Sequence, residues 1–456
     1  MICSPIRKTD YFTEQMKTKI GVVSLGCDKN RVDTEVMLAN LVAGGYEITA
    51  EPSDADVIIV NTCAFLESAR KEAIDTILEM ANFKRDGRCR KVIVTGCLGQ
   101  KFGDELYRDL YEADAIVGTY EYDKICDIVA ETLNGKRMLY RGCNEGVTFG
   151  ARILTTAPHV AYLKIADGCD NYCTYCLIPY IRGRYRSVTI DSVVAQAREL
   201  AESGVKELIL VAQDVTRYGK DLYGEPKLVE LIQQLSQIQG IAWIRLLYCY
   251  PELMTDALLD EIVSNPKVVN YVDIPLQHVN DEILRKMNRR SNAQSIRELF
   301  DKLMHKDIAV RSTFICGFPS ETKDTIAELD AFVRDYKMRN VGFFAYSREE
   351  GTASAKFDNQ VHPRTKQRYV SKLYATQYAV AQQLNQSDVG KTYECMIDVS
   401  DGKDGEFYLY KGRTYFMTRE IDGCVYIASR KPLQIGSMYP VKISGVLEYD
   451  LTGEVE

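Results

Sequence analysis

The sequence lacks any segment that would place it in a membrane or direct it across one. No apolar run approaches the ~18 residues that a membrane-spanning helix needs. The first residues, MICSPIRKTDYFTEQMK, have no apolar core of the kind found in a secretory signal. We therefore expect a cytoplasmic protein without membrane contact, and its 456 residues are enough for about three domains.

The sequence also has no surplus of basic charge. Its 57 Lys and Arg stand against 64 Asp and Glu, which gives a net charge of -7 and a pI of about 5.5. Proteins that bind nucleic acid normally present a basic surface. The composition as a whole therefore gives no indication of nucleic-acid binding.

Histidine is scarce, whereas cysteine is not. The sequence contains fourteen Cys and only four His, which are His159, His278, His305 and His362. In a chain of this size without a secretion signal, many cysteines indicate metal ligands and buried thiols rather than disulfides.

The first of three predicted domains covers residues 18–135. Its short apolar runs alternate with helical periodicity, which is typical of an α/β domain with a parallel sheet. Three runs predict strands, near 19–26, 55–61 and 91–96. Each is followed closely by a cysteine: Cys27, Cys63 and Cys97. Ligands of parallel α/β sheets bind beyond the carboxyl ends of the strands, so the three thiols are predicted to converge. The alternative is that each is only a small buried hydrophobe.

The second predicted domain covers residues 155–385, where six strand-like runs alternate with helical segments. This pattern predicts a partial (β/α)6 barrel, whose chemistry belongs at the carboxyl ends of its strands. Directly after its first strand, three cysteines occur with the spacing CxxxCxxC: Cys169, Cys173 and Cys176. Structural zinc sites close with a fourth ligand at a recurrent spacing, and no histidine follows Cys176 closely. Cubane clusters usually have four thiolate ligands, so three thiolates would leave one iron open.

The third predicted domain covers residues 387–455. Short β-rich runs separated by DGKDGE, IDGC and IGS predict a small five-stranded antiparallel barrel. Such barrels usually hold an RNA or protein partner, and we expect this one to be a separable substrate-binding module.

Motifs along almost the whole chain resemble those of the radical S-adenosylmethionine (SAM) methylthiotransferases. They include SLGCDKNRVDTE, NTCAFLESARKEAIDTI, VTGCLGQ, YLKIADGCDNYCTYCLIPYIRGRYRS, VAQDVTRYG, DIPLQH and GFPSET. Within that family the resemblance is to the branch that modifies an aspartate in protein twelve of the small ribosomal subunit. The C-terminal barrel is similar to the family's TRAM domain.

The resemblance implies a reaction with two 4Fe-4S clusters and SAM. Cys169, Cys173 and Cys176 would hold the cluster that cleaves SAM. The other three cysteines would hold an auxiliary cluster that carries the sulfur. The product would be an aspartate methylthiolated at its β-carbon, with two SAM molecules consumed in each turnover. A flavodoxin or ferredoxin would serve as electron donor.

Further positions are weaker candidates for binding or catalysis. The ends of the predicted barrel strands carry residues that would line a SAM pocket: Gln213, Asp214, Gln277, Gly317, Phe318 and Pro319. The alternative for these is ordinary turn chemistry. Arg182 and Arg184 would bind the SAM carboxylate or an acidic substrate side chain, or belong to a solvated loop. His278 would transfer a proton or serve as a hydrogen-bonded structural residue.

Two alternative functions compete with this interpretation. One is the same chemistry on a transfer-RNA adenosine. Residues 386–456 contain eight Lys and Arg against twelve Asp and Glu, and binding to RNA depends on cations that contact phosphates. An acidic barrel therefore favours a basic polypeptide as the substrate over transfer RNA. The other alternative, an electron carrier without catalysis, leaves the barrels unexplained.

Overall fold

The computed structural model describes residues 18–142 and 146–455, which form three domains of α/β, α/β and β class in chain order. All six cysteines of the two predicted sets lie within these residues. Among the described residues, no helix combines the length and the apolar composition needed to cross a bilayer.

The N-terminal domain is a six-stranded parallel sheet flanked by helices. Its strands are β1 (Lys19–Ser24), β2 (Glu47–Thr49), β3 (Val57–Thr62), β4 (Lys91–Gly96), β5 (Ala115–Val117) and β6 (Met138–Tyr140). Its helices are α1 (Asp28–Ala43), α2 (Glu67–Asp86), α3 (Cys97–Asp109) and α4 (Ile125–Leu133). The strand order is β2-β1-β3-β4-β5-β6. The three predicted strands are β1, β3 and β4, and β6 extends the sheet past the boundary expected at residue 135.

Burial on both faces explains the continuous apolar runs of this sheet. Every residue of β3 is buried, and alternate side chains point into two separate cores. Ile58 and Val60 pack on one face with Ile77 of α2. Ile59 packs on the other face with Leu41 of α1.

The central domain is an open, six-stranded parallel sheet. Its strands are β7 (Val160–Lys164), β8 (Ala166–Asp167), β9 (Arg186–Ser187), β10 (Glu207–Val211), β11 (Trp243–Leu246), β12 (Val268–Asp273), β13 (Ala309–Cys316) and β14 (Asn340–Ala345). Its helices are α5 (Ile178–Ile181), α6 (Ile190–Glu202), α7 (Lys220–Tyr223), α8 (Leu228–Ser236), α9 (Asp256–Ser264), α10 (Asp281–Lys286), α11 (Ala293–His305), α12 (Lys323–Tyr336) and α13 (Pro363–Asp388). The main sheet has the order β7-β10-β11-β12-β13-β14, and β8 pairs with β9 separately. This is the predicted partial barrel of six β/α units.

The C-terminal domain is a closed five-stranded barrel. Its strands are β15 (Thr392–Asp404), β16 (Phe407–Arg413), β17 (Val425–Ser429), β18 (Met438–Leu447) and β19 (Asp450–Glu454), in the closed order β15-β16-β17-β19-β18. Four of its strand pairs are antiparallel, as expected, but β17 and β19 run parallel.

The C-terminal barrel packs directly on one face of the central sheet. In β7, Ala161 and Leu163 belong to the core beneath the helices. The alternate residue Tyr162 belongs instead to a core that includes Phe416 and Met417 of the C-terminal barrel. The C-terminal barrel and the central sheet therefore share a hydrophobic core.

Candidate active site

The N-terminal sheet presents the first cysteine set, Cys27, Cys63 and Cys97, at the carboxyl ends of the neighbouring strands β1, β3 and β4. Strand β3 pairs with β4 so that Thr62 lies opposite Gly96, and Cys63 and Cys97 are the next residues on each strand. Cys27 is the N-cap of α1, and a Cβ placed on its neighbour Gly26 would lie 2.8 Å from Cys63 Cβ. The parallel register therefore brings the three residues to one edge of the sheet.

The electrostatic environment also indicates that these thiols are neighbours. Burial raises the pKa of Cys97 to about 12, the charges of Cys27 and Cys63 add to the rise, and Arg182 opposes it. Burial likewise raises the pKa of Cys63. Cys27, by contrast, is exposed. Such buried thiols favour a neutral state unless a metal centre holds them as thiolates.

Arg182 lies beside the first cysteine set and is 2% exposed. Its Nη2 donates to Cys97 Sγ at 3.6 Å and to Asn30 Oδ1 at 2.5 Å. Its Nη1 donates to Asp33 Oδ2 at 2.6 Å and to Asp167 Oδ2 at 3.2 Å. The guanidinium is thus surrounded by protein groups, and the expectation that it binds a SAM or substrate carboxylate is revised. Arg184 is 84% exposed on its side chain, with Asp170 Oδ1 at 3.7 Å.

The second cysteine set lies in a tight loop after β8. Cys169 and Cys173 are buried and Cys176 is half-buried. Burial raises the pKa of Cys169 to about 12, and the charge of Cys173 adds to this. Gly168, which precedes Cys169, has φ +81, and a Cβ there would collide with the Arg184 carbonyl oxygen. The chain therefore needs glycine at this position to fold the loop.

The VAQD segment, which follows β10, supports this loop through hydrogen bonds. Gln213 Nε2 donates to Asp167 Oδ1 at 3.0 Å. Asp214 Oδ2 accepts a hydrogen bond from Asn171 Nδ2 at 3.0 Å, and burial raises the pKa of Asp214. Asn171 lies between Cys169 and Cys173, so both VAQD residues hold the cysteine loop in place.

The GFPSET segment after β13 supports the loop from a second side. The Phe318 ring contacts the Tyr175 ring edge-on, with the centroids 6.5 Å apart, and Tyr175 lies between Cys173 and Cys176. Phe318 is completely buried, and Pro319 is buried beside it. Gly317 has φ +77, where a Cβ would collide with Lys366, and its N–H donates to Glu321.

The PLQH segment after β12 connects to the same turn. Gln277 has φ +71, and its N–H donates to the Thr313 carbonyl at 2.9 Å. His278 is completely buried, with Nε2 at 3.0 Å from Glu321 Oε1. Nδ1 of His278 accepts the N–H of Asn280 at 2.9 Å. These contacts favour the structural interpretation of His278 over proton transfer.

Arg289 is a candidate that sequence reasoning missed. It is 7% exposed, and its guanidinium carbon lies 4.2 Å from the centre of the Tyr250 ring. Nη2 donates to the Pro275 carbonyl at 3.0 Å, whereas its buried Nε and Nη1 have no hydrogen-bond partner in the structure. The Arg289 charge lowers the pKa of Cys176, although burial dominates and the net shift is upward. A buried cation with two unpartnered donors therefore lies beside the second cysteine set.

A cavity of about 220 Å³ opens beside Cys27 where the three domains meet. The N-terminal domain contributes Cys27 and Arg31 to its wall, and the central domain contributes Tyr162 and Tyr248. The C-terminal barrel contributes Glu420, whose Oε2 lies 2.9 Å from Arg31 Nη1. The C-terminal barrel thus reaches the edge of the first cysteine set.

Each of the two donor sets supplies three thiols. Within the described part of the chain, no three His, Cys, Asp or Glu side chains are grouped closely enough to hold one ion. Three thiolates on a cubane cluster bind three different irons, so they stand farther apart than the ligands of one ion. Thiolate is also the usual ligand of such clusters.

Three family models match consecutive parts of this chain. Residues 19–118 match uncharacterized protein family UPF0004, residues 163–333 match the radical SAM superfamily, and residues 389–455 match the TRAM domain. The three matches fall, in order, in the three observed domains. The radical SAM match implies a 4Fe-4S cluster and SAM as cofactors.

Several curated proteins are similar to the chain over nearly its full length. Ribosomal protein uS12 methylthiotransferase RimO of Clostridium kluyveri is 47% identical over 444 residues, which cover 96% of this chain and 98% of the relative. The protein of the same name from Acetivibrio thermocellus is 46% identical over 451 residues, with 96% and 99% coverage.

Two solved structures share the fold at low identity. The radical SAM methyltransferase TsrM of Kitasatospora setae has a TM-score of 0.53 and 14% identity, and the match covers 86% of this chain and 82% of TsrM. The cobalamin-dependent SAM radical enzyme OxsB has a TM-score of 0.50 and 11% identity, with 78% and 56% coverage. At these identities the likeness shows the fold alone.

Proposed function

The chain belongs to the RimO family of radical SAM methylthiotransferases, and from this premise we propose that it inserts a methylthio group at the β-carbon of an aspartate in ribosomal protein uS12. The observation that carries the proposal is the meeting of two three-cysteine sets through Arg182. This residue follows the second set in sequence and donates to Cys97 of the first.

Each cysteine set has a distinct role in this proposal. Cys169, Cys173 and Cys176 would hold the cluster to which SAM binds, and Cys27, Cys63 and Cys97 would hold an auxiliary four-iron cluster. When bound, these groups supply the radical that removes hydrogen from an unactivated carbon and the sulfur that replaces it. The protein binds and orients both groups and keeps water away from the radical.

Arg289 provides the cation for the SAM carboxylate. The unpartnered Nε and Nη1 are donors of a cation, and each can donate a charge-assisted hydrogen bond to a carboxylate oxygen. Its position beside the second cysteine set matches the place where SAM has to bind. The other candidates support the site indirectly, because their contacts hold the cysteine loop and the turns beside it. They are Gln213, Asp214, Gln277, Gly317, Phe318 and Pro319.

The cavity beside Cys27 is where the substrate aspartate enters. Its wall includes Cys27 of the first cysteine set and residues of all three domains. Cys27 is exposed and lines this cavity, so the auxiliary site would be reached from it. A side chain inserted there approaches the sulfur without unfolding any part of the protein.

The partners follow from charge and chemistry. In residues 386–456, eight Lys and Arg stand against twelve Asp and Glu, which suits a basic ribosomal protein and disfavours direct binding of transfer RNA. The electron comes from a low-potential donor such as flavodoxin or ferredoxin. Because its substrate is ribosomal, the enzyme works in the cytoplasm.

Anaerobic reconstitution with iron and sulfide tests the proposal. The reconstituted enzyme is incubated with SAM, a strong reductant and either purified uS12 or small ribosomal subunits, and the protein is analysed by mass spectrometry. A methylthio group on an aspartate supports the proposal. Unmodified uS12 in both forms, together with 2-methylthioadenosine when transfer RNA is offered instead, would refute it.

A further inference from the structure

Arg182 occupies an unusual position for a residue that follows a cysteine motif. It is the C-cap of the short helix α5, six positions after Cys176 in the chain. Its side chain leaves the central domain and reaches the N-terminal domain, where Asn30, Asp33 and Cys97 surround it. Only 2% of its surface is exposed.

The two terminal nitrogens of the Arg182 guanidinium donate hydrogen bonds to different sets of acceptors. Nη2 donates to Cys97 Sγ at 3.6 Å and to Asn30 Oδ1 at 2.5 Å. Nη1 donates to two carboxylates, Asp33 at 2.6 Å and Asp167 at 3.2 Å. Nη2 therefore contacts the first cysteine set, whereas Nη1 is bound by the buried carboxylates of Asp33 and Asp167.

Asp167 continues the network to the second cysteine set. Its Oδ1 accepts the N–H of Gly168 at 2.9 Å, and Gly168 is the neighbour of Cys169. Gln213 donates to the same oxygen at 3.0 Å. Lys164 donates to Asp33 and so closes a buried network. A hydrogen-bonded path therefore runs from Cys97 through Arg182 and Asp167 to the backbone beside Cys169.

Resting on the proposed function, we propose that Arg182 is a positioning residue that fixes the auxiliary site relative to the SAM-cleaving loop and raises the reduction potential of the auxiliary cluster. Hydrogen bonds to cluster sulfur and their surroundings set the potentials of iron-sulfur centres. A buried cation stabilises the added negative charge of a reduced cluster, and low polarity around it strengthens this effect. Arg182 acts through Cys97 and does not touch the substrate.

Lysine cannot replace this function fully. An ammonium is a compact point charge, whereas the planar guanidinium presents donors in two directions at once. Arg182→Lys should keep the charge between Asp33 and Asp167 but lose the contacts to Cys97 and Asn30. It therefore separates the charge of Arg182 from its hydrogen bond to sulfur.

The reduction potential is measured on the auxiliary cluster alone. Cys169→Ala, Cys173→Ala and Cys176→Ala are combined so that only the first cysteine set holds iron, and Arg182→Lys or Arg182→Gln is then added. Potentiometric titration followed by electron paramagnetic resonance should give a more negative potential for both variants, with the larger shift for Arg182→Gln. Arg184→Gln is the matched control, because the Arg184 side chain is 84% exposed, and its potential should equal that of the parent.

Coupling is measured in the otherwise unmutated enzyme. Arg182→Lys should still form 5'-deoxyadenosine from SAM, but the methylthiolated product formed for each 5'-deoxyadenosine should fall about tenfold, as for other groups that orient a metal ligand. Equal potentials in the Arg182 and Arg184 variants would overturn the proposal. Loss of both clusters from Arg182→Lys would also overturn it, because the residue would then serve folding only. The potentials involve no substrate, so failure of the wild type to modify uS12 would count against the proposed function alone.

Discussion

Arg413 Nη2 lies 2.8 Å from Glu207 Oε2 at the interface between the C-terminal barrel and the central sheet, and both side chains are almost completely buried. Glu207 also accepts a hydrogen bond from Arg245 Nε at 2.8 Å. Two cations from different domains thus share one buried carboxylate. The C-terminal barrel is therefore bound to the central sheet by charge as well as by its apolar core.

Removing the shared carboxylate should destabilise the whole enzyme. Glu207→Gln leaves Arg245 and Arg413 buried with less compensation, and such losses typically cost about 3–5 kcal/mol. Urea unfolding of the variant should show this decrease in the free energy of unfolding. Lys71→Ala is a suitable control, because the Lys71–Asp75 pair is exposed and should change stability by less than about 0.5 kcal/mol. Equal effects of the two substitutions would contradict the role of the interface.

Because of the same interface, deleting the C-terminal barrel should make the remaining protein insoluble. Deleting residues 387–456 would expose the face of the central sheet that carries Tyr162, Trp243 and Tyr271. An apolar patch of this kind promotes aggregation. We therefore expect the truncated protein to be insoluble, and a soluble protein that still cleaves SAM would show that the core is separable.

Asp398 should make stability depend on pH in acid. Burial alone would raise the pKa of Asp398. The hydrogen bond from His159 and the charge of Arg413 have a larger, opposite effect and lower the pKa to about 2. Because the folded pKa is below the unfolded value, the contribution is complete above about pH 4 and is lost as pH falls through about 2. The shift corresponds to about 2 kcal/mol.

Circular dichroism of the cluster-free protein in urea tests this. The wild type should lose stability between about pH 4 and pH 2. Asp398→Asn should be less stable than wild type at pH 5 but should fall less steeply below pH 4. Parallel curves for the two proteins would assign the acid sensitivity to other carboxylates.

The sequence predicted strand-end residues well and long-range partners poorly. Cys27, Cys63 and Cys97 were recognisable because each follows a hydrophobic run. Strands β2, β5 and β6 could not be recognised in the sequence, because each has only three residues and so shows too little periodicity. The alternation of apolar and polar residues along a strand also does not show in which direction the strand pairs with its neighbour. The parallel pairing of β17 with β19 could therefore not be predicted.

Contacts between residues that are distant in the sequence leave no local pattern. Arg182 is a candidate in the sequence because it is near Cys176, but its partner Asp33 is 149 positions away. Its burial therefore became visible only in the fold. Arg289 belongs to no motif that was recognised, and only the packing of the α10–α11 connection brings it to the second cysteine set.

Cluster content should divide between the two cysteine sets. Wild type should bind about eight irons, and combined Cys169→Ala, Cys173→Ala and Cys176→Ala should leave about four and abolish 5'-deoxyadenosine, because a cubane cluster contains four. Combined Cys27→Ala, Cys63→Ala and Cys97→Ala should also leave about four, but 5'-deoxyadenosine should still form without methylthiolation. Iron analysis and chromatography of the products give both results. Methylthiolated uS12 from the second variant would remove the auxiliary cluster from the reaction.

Arg289→Gln should weaken SAM binding. Losing a buried, charge-assisted hydrogen bond to a carboxylate should raise the dissociation constant for SAM about 10- to 100-fold. Arg290→Gln is the matched control, since Arg290 is its exposed neighbour. Equilibrium binding of SAM to each reconstituted variant separates the two residues. If Arg289→Gln bound SAM as wild type does while retaining both clusters, another cation would have to hold the carboxylate.

The acidic surface of the C-terminal barrel should select the substrate. Asp401, Asp404 and Glu406 are exposed around the turn between β15 and β16. Reversing all three to Lys should weaken binding of uS12 about tenfold at low salt, or about 0.5 kcal/mol for each charge. Added salt should reduce the difference, because exposed charges are screened over about 10 Å at 0.1 M.

The control reverses three exposed acids of α2 instead: Glu72, Asp75 and Glu79. It makes the same change in net charge in the N-terminal domain and should bind uS12 nearly as well as wild type. A competition between uS12 and transfer RNA for the wild-type enzyme then decides the substrate class. Methylthio-aspartate should be the main product, because phosphate recognition depends on cations and residues 386–456 have fewer Lys and Arg than Asp and Glu. If methylthio-adenosine formed instead, or if both triple reversals weakened binding equally, the acidic barrel would not be what selects the substrate.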